Sequence, residues 1–137
     1  MTSLGTGAAR PAKRGRDRKP RSRDETLVTR ALLRAAEQLT IADGDLVDIL
    51  GVSATSLWRL KRGDTVLKET SKEYEIALHV IRLFRGLGAI YGNNTADMAR
   101  WMHAGNSALD DKPVEILKSL KGLFSVIGYV DAHREKL

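Results

Sequence analysis

The segment Asp45-Leu46-Val47-Asp48-Ile49-Leu50-Gly51-Val52-Ser53-Ala54-Thr55-Ser56-Leu57-Trp58-Arg59-Leu60-Lys61-Arg62-Gly63 is the most specific signal in the chain. An apolar first piece, Leu46 to Leu50, meets a glycine, and a second piece from Ala54 to Lys61 ends at Gly63. A helix-turn-helix needs this order: a packed first helix, a tight turn, and a second helix that buries one side and presents the other. Gly51 supplies a left-handed turn without a Cβ penalty. Val52 plugs the angle between the helices, Ser53 caps the second one, and Leu57 and Leu60 pack it inward. Ala54, Thr55, Ser56, Arg59 and Arg62 then face outward, where such a helix enters a major groove. Arginine can take both acceptors of guanine, and serine or threonine can contact bases or phosphates. Lys61, Arg62 and the helix N-terminus suit phosphates. An ordinary helical corner shares the same outline, and Asp43, Asp45 and Asp48 put negative charge close by. Trp58 fits either the sugar–phosphate surface or a subunit contact.

Helical periodicity continues on both sides. Upstream, Leu27, Ala31, Leu32, Ala35, Ala36 and Leu39 recur at helical spacing, with Thr26 or Asp24 as the N-cap. Downstream, a polar loop runs from Asp64 to Thr70. Ser71 opens a longer helix carrying Tyr74, Ala77, Leu78, Ile81, Leu83 and Phe84, expected to fray at Gly86, Gly88 or Gly92. Thr95 caps a helix with Met98, Trp101 and Met102, which Gly105 and Asn106 stop. Asp111 and Pro113 start another with Ile116, Leu117 and Leu120. Gly122 interrupts before a last one holding Phe124, Val126, Ile127 and Val130. No segment alternates with a period of two, so the chain is all-α with about seven helices, most of them short. Trp58, Leu67 and Tyr91 are candidate exposed contacts.

At 137 residues the chain has room for one domain or two very small ones. Its net charge of +6 is placed unevenly. Residues 1–24 hold eight basic side chains (Arg10, Lys13, Arg14, Arg16, Arg18, Lys19, Arg21 and Arg23) and two acidic ones, Asp17 and Asp24. The rest of the chain is balanced. That first segment has almost no large apolar side chains, so it is expected to be a disordered basic tail. It suits nucleic acid, or serves only as a solubilising extension. Cysteine is absent, which excludes a disulfide framework, a thiolate metal site and a cysteine nucleophile. No apolar run approaches the ~18–20 residues that span a bilayer, and the first residues lack the apolar centre of a secretory signal. A soluble, cytoplasmic protein without membrane association is expected.

Enzyme chemistry finds no support. His79, His103 and His133 are far apart and in no ligand spacing, so no metal site is expected. In Gly86-Leu87-Gly88-Ala89-Ile90-Tyr91-Gly92 the third glycine falls one position late for a dinucleotide loop, and no strand precedes it. Asp110 and Asp111 are adjacent rather than facing, which fits a cap for the Pro113 helix. No catalytic residue and no cofactor are assigned.

The segment from Trp101 through Asn106, Leu109 and Pro113 to Leu117, with Gly122 and Val126 following, resembles the C-terminal toxin-binding domain of the Xre/MbcA/ParS antitoxins. In that family a Trp is followed by Asn, Leu and a Pro-led helix, and a Gly and an apolar helix close the domain. The upstream helix-turn-helix is similar to the Xre-like N-terminal module of the same family. The resemblance covers about residues 26–132. Trp101, Asn106, Pro113 and Gly122 also have purely structural readings: a bundle anchor, a helix-end Asx turn in the left-handed conformation, a first-turn proline and a sharp interhelical turn.

Composition alone sets off the basic tail over 1–24, which maps to no feature of the family; the resemblance implies an Xre-like helix-turn-helix module over 25–70 and a helical dimerisation and toxin-binding bundle over 71–137. It implies a cognate RES-domain toxin that degrades NAD or uses it for ADP-ribosylation, operator DNA as a second partner, and a homodimer within a larger toxin–antitoxin complex. The DNA-facing residues would be Ser53, Ala54, Thr55, Ser56, Arg59, Lys61 and Arg62. The toxin-facing residues would be Trp101, Asn106 and Leu109, with Tyr129, His133, Arg134, Glu135 and Lys136 blocking the active-site entrance. A stand-alone helix-turn-helix regulator whose second half only dimerises is the alternative, and an interaction protein that no longer reads DNA is a third.

Overall fold

Helix α1 (Arg23–Gln38) begins where two side chains close its first turn on each other. The Ser22 hydroxyl accepts from the Glu25 N–H at 3.0 Å, and the Glu25 carboxylate accepts from the Ser22 N–H at 3.2 Å. This reciprocal pair satisfies two donors that a helix start leaves open. The cap is therefore Ser22, not Thr26 or Asp24, and Asp24 lies in the first turn. The computed structural model describes residues 22–136. The expected disorder of the tail falls outside them up to residue 21, while Ser22, Arg23 and Asp24 belong to the helix and its cap.

The described residues form seven helices. After α1 come α2 (Asp43–Leu50), α3 (Ala54–Arg62), α4 (Lys72–Tyr91), α5 (Thr95–His103), α6 (Pro113–Ile116) and α7 (Leu120–Arg134). The all-α expectation holds. Helix α4 is central: α1 and α7 pack along it, and α2 and α5 touch it as well. Helix α6 bridges α5 and α7, and α3 leans on α2. One continuous core runs from Leu32 of α1 through Leu50, Leu57, Val80 and Met102 to Val130 of α7. It crosses residue 70 without a break, at Leu67 and Tyr74.

Side-chain oxygens fix most helix starts. Ser53, Ser71, Asn94 and Ser119 each accept from the backbone N–H three residues on. Asn94, not Thr95, caps α5, and that helix ends at His103, ahead of Gly105 and Asn106. Neither Asp110 nor Asp111 caps α6: Asp111 accepts instead from the Lys112 N–H at 2.7 Å, and Pro113 takes the first position, where a missing N–H costs nothing. Helix α4 continues through Gly86 and Gly88 and stops at Gly92, whose φ is 60°. Gly122 does not interrupt a helix; it lies in the first turn of α7, which Ser119 opens.

The loop from Asp64 to Thr70 is held against α1 by two acceptors. The Thr29 hydroxyl accepts from the Leu67 N–H at 2.9 Å, and the Glu25 carboxylate accepts from the Glu69 N–H at 2.8 Å. Leu67, expected to be an exposed contact, is therefore drawn into the core at 3 % exposure. Backbone donors from Glu69 and Ser22, and then the Lys68 charge, hold the Glu25 carboxyl below its ordinary value of 4.5. A carboxyl depressed in the folded state contributes stability above its unfolded pKa, and that contribution is lost as pH falls through the folded value. Acid unfolding should thus steepen below about pH 4.5. Glu25→Gln should lower Tm at neutral pH and flatten this acid limb; thermal melts between pH 3 and 7 read both effects.

Candidate functional site

Two faces carry the residues singled out above. The first is built on α2 and α3. Gly51 ends α2 with φ 74°, the left-handed value that the turn requires and that a side chain would resist. Three residues, Gly51 to Ser53, join the helices. Leu57 and Leu60 are buried, and Val52 packs on the core, as their spacing implies. Ser53 accepts from the Ser56 N–H at 3.0 Å, and its hydroxyl lies 3.0 Å from that of Ser56.

Ala54, Thr55, Ser56, Arg59, Lys61 and Arg62 are all exposed. Arg59 makes no ion pair among the described residues, so its guanidinium is available to a ligand. Lys61 is engaged with Asp43 at 2.9 Å, across to the start of α2. Arg62 lies 3.4 Å from Asp64 and stacks its guanidinium 4.5 Å above the Trp58 ring. Trp58 is 55 % exposed. At 100° per residue it shares the outward side of α3 with Thr55, Arg59 and Arg62. The sequence offers Trp58 either the sugar–phosphate surface or a subunit contact, and its offsets of +3 from Thr55 and −4 from Arg62 put it on their side of the helix.

The second face joins the ends of α5 and α7. Trp101 and Tyr129 stack with ring centroids 6.3 Å apart and an interplanar angle of 21°. Tyr129 meets His133 at 4.3 Å, and His133 Nδ1 lies 2.9 Å from the Tyr129 carbonyl oxygen, which makes that nitrogen a donor. Three expected residues thus form one aromatic row, half-buried at Trp101 and Tyr129 and exposed at His133. Arg134, Glu135 and Lys136 follow, all exposed.

Asn106 and Leu109 sit in the loop between α5 and α6. Asn106 Oδ1 accepts from the N–H groups of Ala108 and Leu109 at 3.0 and 3.2 Å, and its backbone pairs with Asp111. The expected Asx turn is present, but the left-handed residue of this loop is Asp110, with φ 70°, not Asn106. Asn106 therefore spends its acceptor on its own loop and orders the approach to Pro113. Leu109 packs half-buried on the core.

Lys118 was not anticipated. Its ammonium lies 2.8 Å from Asp45, 3.0 Å from Glu115 and 3.7 Å from Asp48. Hydrogen bonds to Asp45 and then Glu115 hold the ammonium well above the ordinary lysine range. The cluster ties α2 to the segment between α6 and α7, and it uses two of the carboxylates, Asp45 and Asp48, that put negative charge close to α3. The three histidines stay separate. His103 Nε2 lies 3.1 and 3.0 Å from the carbonyl oxygens of Leu39 and Thr40, pinning α5 to the end of α1. Among the described residues no group of three His, Asp or Glu is placed to hold a metal ion, and no helix is long and apolar enough to cross a membrane.

Residues 86–136 match the family model of the antitoxin Xre/MbcA/ParS C-terminal toxin-binding domain. The match takes in the last turns of α4 and all of α5, α6 and α7, and so the whole second face. No curated protein matches the chain.

Proposed function

We propose that the chain is the antitoxin of a type II toxin–antitoxin pair. It binds a RES-domain, NAD-consuming toxin through residues 86–136, blocks that toxin's active site, and represses its own operon by binding operator DNA. The observation that carries this reading is the match of residues 86–136 to an antitoxin toxin-binding domain. The aromatic row supports it: half-buried, pre-packed rings offer large contact area at little entropic cost. His133, Arg134 and Lys136, exposed at the end of α7, suit a pocket shaped for a negatively charged dinucleotide. On the other side, the exposed Thr55, Ser56, Arg59 and Arg62 of a short capped helix suit a major groove. A cytoplasmic homodimer inside a larger complex completes the proposal.

The test is co-expression of the tagged full chain with the product of the adjacent reading frame, followed by pull-down and an NAD assay on cells expressing the neighbour alone. Co-purification with relief of NAD loss is the expected result. No partner and no change in NAD would discard the antitoxin reading in favour of a stand-alone regulator. For the DNA half, Arg59→Ala should weaken binding to the upstream duplex by ~1–3 kcal/mol, with relaxed selectivity at one base pair, if its guanidinium bridges a guanine. Fluorescence anisotropy on the wild-type duplex and single-base variants measures both; unchanged selectivity would move the base contact to another residue.

A further inference from the structure

Helix α1 carries charge on its outer side that the fold does not use. Arg30 and Arg34 are one turn apart and exposed, and among the described residues neither makes an ion pair. Like charges at this spacing repel and weaken a helix. Elsewhere Arg62, Arg82 and Arg100 each have a carboxylate partner.

Arg30 and Arg34 line a groove of about 1020 Å³ between α1 and the α2–α3 pair, with Lys61 on its α3 side. Two carboxylates line it too: Asp43, already bound to Lys61, and Glu37. Lys61 also lines a neighbouring cleft of about 470 Å³ shared with Trp58 and Arg62. Lys61 and its partner Asp43 line both, so the outward side of α3 adjoins a groove in which Arg30 and Arg34 are the cations without a carboxylate partner among the described residues. Four helical residues advance about 6 Å, a span over which one strand, with a charge every ~3.4 Å of duplex axis, presents about two phosphates.

The geometry points to a phosphate contact on α1: Arg30 and Arg34 grip one backbone strand of the duplex whose groove α3 enters. This rests on the DNA reading above and extends its footprint beyond the helix-turn-helix stretch. Such contacts position a duplex without reading its sequence. They therefore appear in the salt dependence of binding, on any duplex.

The experiment uses the full chain and a labelled 30-base-pair duplex of arbitrary sequence, titrated by anisotropy across a salt series. Arg30→Gln/Arg34→Gln is compared with Lys72→Gln/Arg85→Gln, which removes the same charge from α4. Far-UV circular dichroism confirms that both variants fold; all four positions are exposed. The slope of log K against log salt should fall by about 1.8 for the α1 pair, at ~0.9 per phosphate, and stay near wild type for the α4 pair. An unchanged slope for the α1 pair, or an equal fall for both pairs, overturns the proposal. So does loss of toxin capture with duplex binding intact, which would assign the groove to a protein. A wild-type chain without affinity for any duplex removes the DNA reading itself and this inference with it.

Discussion

Gly122→Ala is expected to lower the unfolding free energy by about 3 kcal/mol, the upper end of what overpacking a closed site costs. The methyl group would sit 2.0 Å from the Ile116 carbonyl oxygen, 2.8 Å from Ile116 Cγ2 and 2.9 Å from Ser119 Oγ. A carbonyl oxygen cannot rotate aside as a flexible side chain can. The turn between α6 and α7 would have to open, and that movement strips the Ser119 cap from the Gly122 N–H, now 3.0 Å long. A lost cap alone costs about 1 kcal/mol. Because α6 and α7 close the second face, toxin capture should fall with stability. Gly128→Ala is the control, since nothing lies within 4 Å of its added methyl group. At that exposed position inside α7 alanine should stabilise by up to about 1 kcal/mol. Urea unfolding of both variants measures the contrast; equal stabilities would mean that the interhelical turn yields freely.

The same glycine shows what the sequence could carry and what it could not. Periodicity placed the helices in order, because burying Leu32, Leu57, Ile81 or Val126 on one side is a local property of spacing, but the Pro113 helix, read through Leu117 and Leu120, stops at Ile116, and Leu120 opens α7. Helix ends were less legible. Gly122 read as a breaker, and its real role depends on how close Ile116 approaches, which is a tertiary distance. Ser22 was overlooked as a cap because it stands among basic residues that read as tail; its partner Glu25, three positions on, was the signal. Leu67 read as an exposed loop residue because nothing local reveals that Thr29, far along the chain, binds its N–H.

At the candidate faces the outward set on α3 followed from the burial of Leu57 and Leu60, and Trp58 belongs to it by the same arithmetic. The grouping of Trp101 with Tyr129 and His133 needed α5 and α7 side by side, which no spacing within either helix encodes. The Lys118 cluster is equally non-local. Asp45 and Asp48 gain a partner from far along the chain, but one ammonium faces Asp45, Asp48 and Glu115 together. The acidic edge of α2 is therefore only partly offset and still opposes a polyanion.

Trp101→Ala is expected to weaken capture of the neighbouring-frame toxin by about 2 kcal/mol, roughly 30-fold. The side chain is half-buried against the core and stacked on Tyr129, so its rotamer is already fixed before a partner arrives. Contacts of this type dominate interface energies, while exposed charges at a rim contribute little. Lys121→Ala, an exposed charge on α7 outside the pocket-facing set, should therefore cost less than about 0.5 kcal/mol at physiological salt. The Trp101 change will also loosen Tyr129, and Tm must be followed beside affinity. Tyr129→Ala separates the two effects. If the row acts as one contact, the double variant should lose less affinity than the two single losses added together, because each single change already disrupts the other ring. Strictly additive losses would mean that the rings contact the toxin independently. Capture unchanged in Trp101→Ala, with a lowered Tm, would make the stack a core element and move the toxin contact to the end of α7.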